Sequence, residues 1–126
     1  MNMKINYWQD SRGCSPAEEF IEAIGDNTGQ KAQVKVLRFV RVLGKEGLGM
    51  LTKMPEYLKQ LTLDGMVLYE LRVGFGGNAY RILFVVLDGI AYFLHAFSKK
   101  DQKTSPREIA IALRRYELLK LELQII

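Results

Sequence analysis

The chain has 126 residues, of which 48% are hydrophobic and 25% charged, and a formal charge of +4. That is one domain, large enough to build a core without metal or disulfide staples, and its composition excludes both a disordered and a membrane-embedded class. A single cysteine and a single histidine leave no internal disulfide and no Cys/His set for zinc.

The segment KINYW, from Lys4 to Trp8, alternates residue types suited to a half-buried strand. A helix follows, with Ser15 to cap it, Pro16 at its first position, Glu18 to complete a capping box, and Gly25 as its stop. Phe20, Ile21 and Ile24 form its apolar stripe. A second helix is expected from Gly29 to Leu43, with Val36, Phe39, Val40 and Leu43 on one face. The DNTG turn makes the two a helical hairpin.

Gly44, Gly47 and Gly49 read as a loop, and Pro55 blocks a long helix beyond it. Tyr57 to Leu63 suits a short strand. After the turn pair Asp64-Gly65, Met66 to Val73 alternates, with Glu70 and Arg72 on the face opposite Val67, Tyr69, Leu71 and Val73. GFGGN is its exit turn. Tyr80 to Leu87 is apolar on both faces except at Arg81, the pattern of a strand covered on two sides. Asp88-Gly89 signals a tight hairpin into Ile90 to Ser98. Ser105, Pro106 and Glu108 repeat the capping arrangement, and Ile109, Ala112, Leu113, Tyr116, Leu119 and Leu123 stripe a last helix. Arg81, Asp88 and His95 interrupt the longest apolar run before the ~18 residues of a spanning helix, and the N-terminal segment lacks a signal-peptide core. A cytoplasmic single domain over residues 1–126 is expected, of α+β class: a small antiparallel sheet of three to four strands plus the N-terminal one, a helical hairpin and a closing helix.

The excess charge is concentrated. Between Lys99 and Arg115, Lys99, Lys100, Lys103, Arg107, Arg114 and Arg115 face only Asp101 and Glu108, which equals the net charge of the whole chain. Such a cluster suits an anionic partner such as nucleic acid, or is a solvated surface. Arg81 is more informative, because an arginine inside an apolar strand must find a carboxylate or a cleft where an anion comes to it. Glu70 is the available carboxylate; a phosphate is the alternative, with Arg72 on a strand nearby. His95, Phe97 and Lys99 alternate onto one face, and an imidazole beside cations is suited to proton transfer near neutral pH. A strict two-residue turn at Asp88-Gly89 would set Arg81 opposite Ala96 and His95 opposite Ile82, on opposite faces; a bulge would unite them. Phe75 and Tyr80 are either base-stacking or core aromatics.

The pieces LYELR, YRILF, LHAFSKK and QKTSPREI, with SPAEEF upstream, resemble the RelE/ParE toxin superfamily, in particular its phage-derived, HigB-like branch, over nearly the whole chain. The resemblance implies a RelE-like fold and the toxin of a type II toxin–antitoxin pair, an endoribonuclease that cleaves messenger RNA on the ribosome. The reaction would be attack of a ribose 2′-hydroxyl on the adjacent phosphate, without metal or small-molecule cofactor. Carried onto this sequence, Arg72 and Arg81 become phosphate and transition-state contacts, His95 the general base or acid, and Lys99 and Lys100 cationic or acid contributors. Gln102, Lys103, Arg107 and Tyr80 become RNA contacts. The implied partners are a helix-turn-helix antitoxin, the ribosome and messenger RNA, with no membrane. A gyrase-poisoning toxin of the ParE kind, or a non-catalytic member binding RNA or a partner, are the alternatives on the same fold.

Overall fold

The computed structural model describes residues 2–27, 29–100 and 103–124. Strand β1 (Lys4–Tyr7) leads into helices α1 (Pro16–Asn27) and α2 (Gln30–Glu46), a 3₁₀ turn over Gly47–Gly49 and a one-turn helix α3 (Met50–Lys53). Strands β2 (Leu58–Leu63), β3 (Met66–Phe75), β4 (Asn78–Leu87) and β5 (Ile90–Lys99) follow, and helix α4 (Pro106–Leu123) closes the fold. The sheet order is β1-β5-β4-β3-β2. The fold is α+β as expected, but the sheet is mixed, because β1 lies parallel to β5 from Lys4↔Ile90 to Tyr7↔Phe93.

Three two-residue turns build the β2–β5 meander. Asp64-Gly65, Gly76-Gly77 and Asp88-Gly89 all have positive φ at both positions, the geometry whose twist matches that of the strands it joins. They close on the pairs Leu63↔Met66, Phe75↔Asn78 and Leu87↔Ile90.

Two glycines expected to end helices do not. Gly25 lies inside α1, where a Cβ would sit 2.7 Å from Oε1 of Gln33. The Gln33 amide donates to the carbonyls of Ile21 and Glu22, both at 3.1 Å, so this glycine admits the side chain that ties α2 to α1. Gly44 lies inside α2, and its carbonyl, one of the last four of the helix, accepts from Met3 N–H at 2.7 Å. A Cβ there would be 3.5 Å from the Met3 carbonyl. That is ordinary contact, so this is an interior helical position that does not require glycine.

The sheet is covered on both faces. One side packs Leu71, Val73, Tyr80, Ile82, Phe84 and Phe93 against Ile21, Ile24, Ala32, Val36 and Leu43 of the helical hairpin. The other packs Leu68, Leu83, Val85, Leu94 and Phe97 against Trp8 and against Ala112 and Leu119 of α4. This explains the apolar run of β4, whose residues Tyr80 to Val85 are all buried.

The β4–β5 ladder has a bulge. It runs without a break from Leu87↔Ile90 to Phe84↔Phe93, then resumes at Leu83↔His95, with Leu94 taken out of the pairing. The extra residue changes the phase of everything after it. Leu94 and His95 both project toward α4, Ala96 returns to the hairpin side, and Phe97 faces α4 again. Arg81 stands opposite Phe97 and therefore shares its face with His95.

Candidate functional site

Glu70 on β3 is fully buried, and charge at such depth requires partners. Arg72, two residues along the same face, donates from Nη2 to Glu70 Oε1 at 3.1 Å. Arg81, directly across the ladder from Arg72, brings Nη1 to 3.8 Å from Glu70 Oε2. Thr104, in the segment leading into α4, donates its hydroxyl to Glu70 Oε2 and accepts from Arg81 Nη1 at 3.4 Å. Two guanidiniums and a hydroxyl thus converge on one carboxylate and tie the approach to α4 onto the sheet. The expected phosphate contact by Arg81 is not what the fold provides, since its side chain is 1% exposed. Arg72, at 15%, keeps an edge toward solvent.

Two residue pairs along the β4–β5 ladder from Arg81, a second cluster surrounds His95. Ser105 caps α4 by accepting from Glu108 N–H at 3.4 Å. The Glu108 carboxylate, instead of completing the expected capping box, meets His95 Nε2 at 2.6 Å. Arg115, two turns further along α4, donates from Nη1 to the Leu94 carbonyl at 2.8 Å and faces His95 Nδ1 at 3.2 Å. The residue displaced from the ladder by the bulge therefore has its carbonyl satisfied by Arg115. Arg115 also lies 5.4 Å from the ring centre of Trp8. Burial lowers its pKa against an opposing pull from Asp10, and it remains a cation.

His95 stacks on Phe97, with ring centres 5.3 Å apart. Burial holds the imidazole below its usual pKa; the Glu108 contact opposes this and the Arg115 charge reinforces it. A neutral ring with a cationic donor at Nδ1 carries its proton on Nε2, directed at Glu108. Side-chain exposures of 12% for His95 and 25% for Glu108 leave the pair reachable from outside. The site thus offers a carboxylate and an imidazole sharing a short hydrogen bond, the groups needed to move a proton.

Lys99 ends β5 half-buried and in alternation with His95 and Phe97, while Lys100, Lys103 and Arg107 are exposed. These four cations rim the entry to α4. Gln102 lies outside the described residues. Tyr80, one reading of which was base stacking, is 4% exposed in the core beneath the helical hairpin, on the other face of the sheet. Glu108, Arg115 and Thr104 were not singled out in the sequence as site residues. The spacing of Glu108 and Arg115 carries a signal, since two turns place both on one side of a helix, where they bracket a strand histidine. Among the described residues no group of three His, Cys, Asp or Glu is arranged to hold a metal, and no helix is long and apolar enough to cross a membrane.

No curated protein matches the chain. The family model "Phage derived protein Gp49-like (DUF891)" matches residues 26–117, a span holding α2, the whole meander and both polar clusters. The chain therefore belongs to the phage-derived Gp49-like family.

Proposed function

We propose that this protein is the toxin of a type II toxin–antitoxin pair and cuts messenger RNA on the ribosome. The observation carrying this reading is the β5 bulge, which brings His95 onto the face that holds Arg72, Arg81 and Lys99. In the reaction a ribose 2′-hydroxyl attacks the adjacent phosphorus, the new O–P bond forms as the bond to the 5′-oxygen breaks, and a 2′,3′-cyclic phosphate and a 5′-hydroxyl result. The His95–Glu108 pair takes the hydroxyl proton. Lys99 and the solvent-facing side of Arg72 balance the phosphorane charge, and the Lys99 ammonium returns a proton to the leaving oxygen. Lys100, Lys103 and Arg107 hold the RNA backbone. Arg81 acts from within, fixing Glu70 and through it Arg72. The implied partner is an antitoxin that blocks this face.

Induced expression without the antitoxin should arrest growth, and primer extension on translated messages should show cuts at the ribosomal A site. Harmless expression with intact messages refutes the proposal. The burial of Arg81 against Glu70 favours a second reading, a member that binds RNA without cutting it; this predicts retention of RNA with no new 5′ ends. Arrest with intact messages and blocked DNA supercoiling would instead indicate a gyrase poison.

A further inference from the structure

His95 has one nitrogen with a lone pair to offer, and in this fold that nitrogen faces a guanidinium. Nδ1 lies 3.2 Å from Arg115 Nη1, which is itself fixed by the Leu94 carbonyl at 2.8 Å and stacked over Trp8. A proton arriving at Nδ1 would displace the Arg115 hydrogen bond and set two cations against one another. Nε2 is the proton-bearing nitrogen, and its hydrogen points at Glu108. Both ends of the ring are committed as a hydrogen-bond donor and acceptor, so the imidazole is a poor acceptor of a substrate proton. The Glu108 carboxylate is twice as exposed as the imidazole, at 25% against 12%, and only one of its oxygens is used by His95.

We infer that Glu108 is the proton acceptor of the cleavage reaction, that His95 orients and polarises it through Nε2–H, and that Arg115 is the positioning residue that fixes His95 in that role. The inference rests on the cleavage reading above and adds to it the identity of the base. In the attack step the 2′-hydroxyl proton passes to the free oxygen of Glu108 as the oxygen–phosphorus bond forms. His95 keeps its Nε2 proton, and the leaving oxygen is protonated from Lys99. The charged groups around His95 are Glu108 and Arg115 on α4, with Asp10 acting on Arg115 from the β1–α1 connection.

Because His95 is the sole histidine, nitrogen-15 NMR of the full-length protein reads one imidazole without ambiguity. The wild type should show a neutral ring protonated at Nε2. Arg115→Gln should shift the ring toward the Nδ1–H tautomer and raise its titration midpoint, and Arg115→Lys should restore part of the wild-type behaviour. Single-turnover cleavage of a ribosome-bound message completes the test. Glu108→Gln should lower the rate about 10²-fold or more, the usual range for a lost general base, with the His95 tautomer retained, whereas His95→Gln, which keeps a donor, should lose less. A Glu108→Gln rate within about tenfold of wild type, or a wild-type ring protonated at Nδ1, overturns the assignment while leaving the cleavage reading intact. A wild-type protein that cuts no message removes the cleavage reading, and the role of Glu108 falls with it; the response of the imidazole to Arg115→Gln then decides the Arg115–His95 contact alone.

Discussion

Replacing Arg81 by methionine tests whether this arginine is a structural counter-charge. The substitution keeps most of the side-chain volume but removes one of the two guanidiniums converging on a carboxylate with no solvent exposure. Removing one partner of a buried ion pair costs about 3–5 kcal/mol. Glu70 retains Arg72 at 3.1 Å and the Thr104 hydroxyl, which places the expected loss at the lower end, about 3 kcal/mol. For a chain of 126 residues that corresponds to a fall in melting temperature of about 10 °C. Urea unfolding followed by far-UV circular dichroism gives the free energy directly. The double variant Glu70→Leu with Arg81→Met removes the charge together with its partner. It should lose less than the sum of the two single variants, because neither buried charge is left facing an absent partner, while Arg72 and Thr104 still lose their acceptor. An Arg81→Met protein within about 0.5 kcal/mol of wild type, or a double variant weaker than the sum of the singles, would refute the structural role.

Stability should also depend on pH through His95. Its folded pKa lies below the ordinary 6.5, so the unfolded chain binds more protons between the two values. The contribution is present above about pH 6.5 and is lost as pH falls through the folded value. Urea midpoints should drop over that interval in wild type, and His95→Gln should remove that part of the drop. Gly44→Ala should stabilise by about 0.5–1 kcal/mol, since the position is helical and a Cβ would meet Met3 O only at ordinary contact distance. Gly25→Ala should not show this gain, because its Cβ must displace the Gln33 amide that bonds Ile21 and Glu22; thermal melts of the two variants compare them.

Much of the architecture was legible in the chain because local chemistry and tertiary position agree. The turn pairs Asp64-Gly65 and Asp88-Gly89 adopt the positive φ their residues favour, and β4 is buried on both faces as its composition implies. The phase of β5 was hidden for a physical reason. IAYFLHAF is apolar on both faces, so alternation carries no mark at the point where Leu94 leaves the ladder. Glu108 was masked by its second role, since a carboxylate at that position reads as a cap. Gly44 reads as punctuation because glycine commonly follows a helix end, whereas α2 continues through it to Glu46. The Glu70–Arg81 association was available as the structural alternative to phosphate binding, and burial decides for it.

The parallel pairing of β1 with β5 has a consequence for the order of synthesis. The meander joins strands adjacent in sequence and can zip up as each hairpin leaves the ribosome, whereas Lys4 must wait for Ile90. At about 5–20 residues per second that wait lasts several seconds, with the apolar faces of α1 and α2 lacking their sheet. The polar clusters are completed later still, since Thr104, Glu108 and Arg115 all follow β5. Until α4 docks, His95 has neither hydrogen-bond partner and Glu70 lacks its hydroxyl. The candidate site is thereby incomplete while the chain is being made, and is assembled only once nearly all of it has emerged.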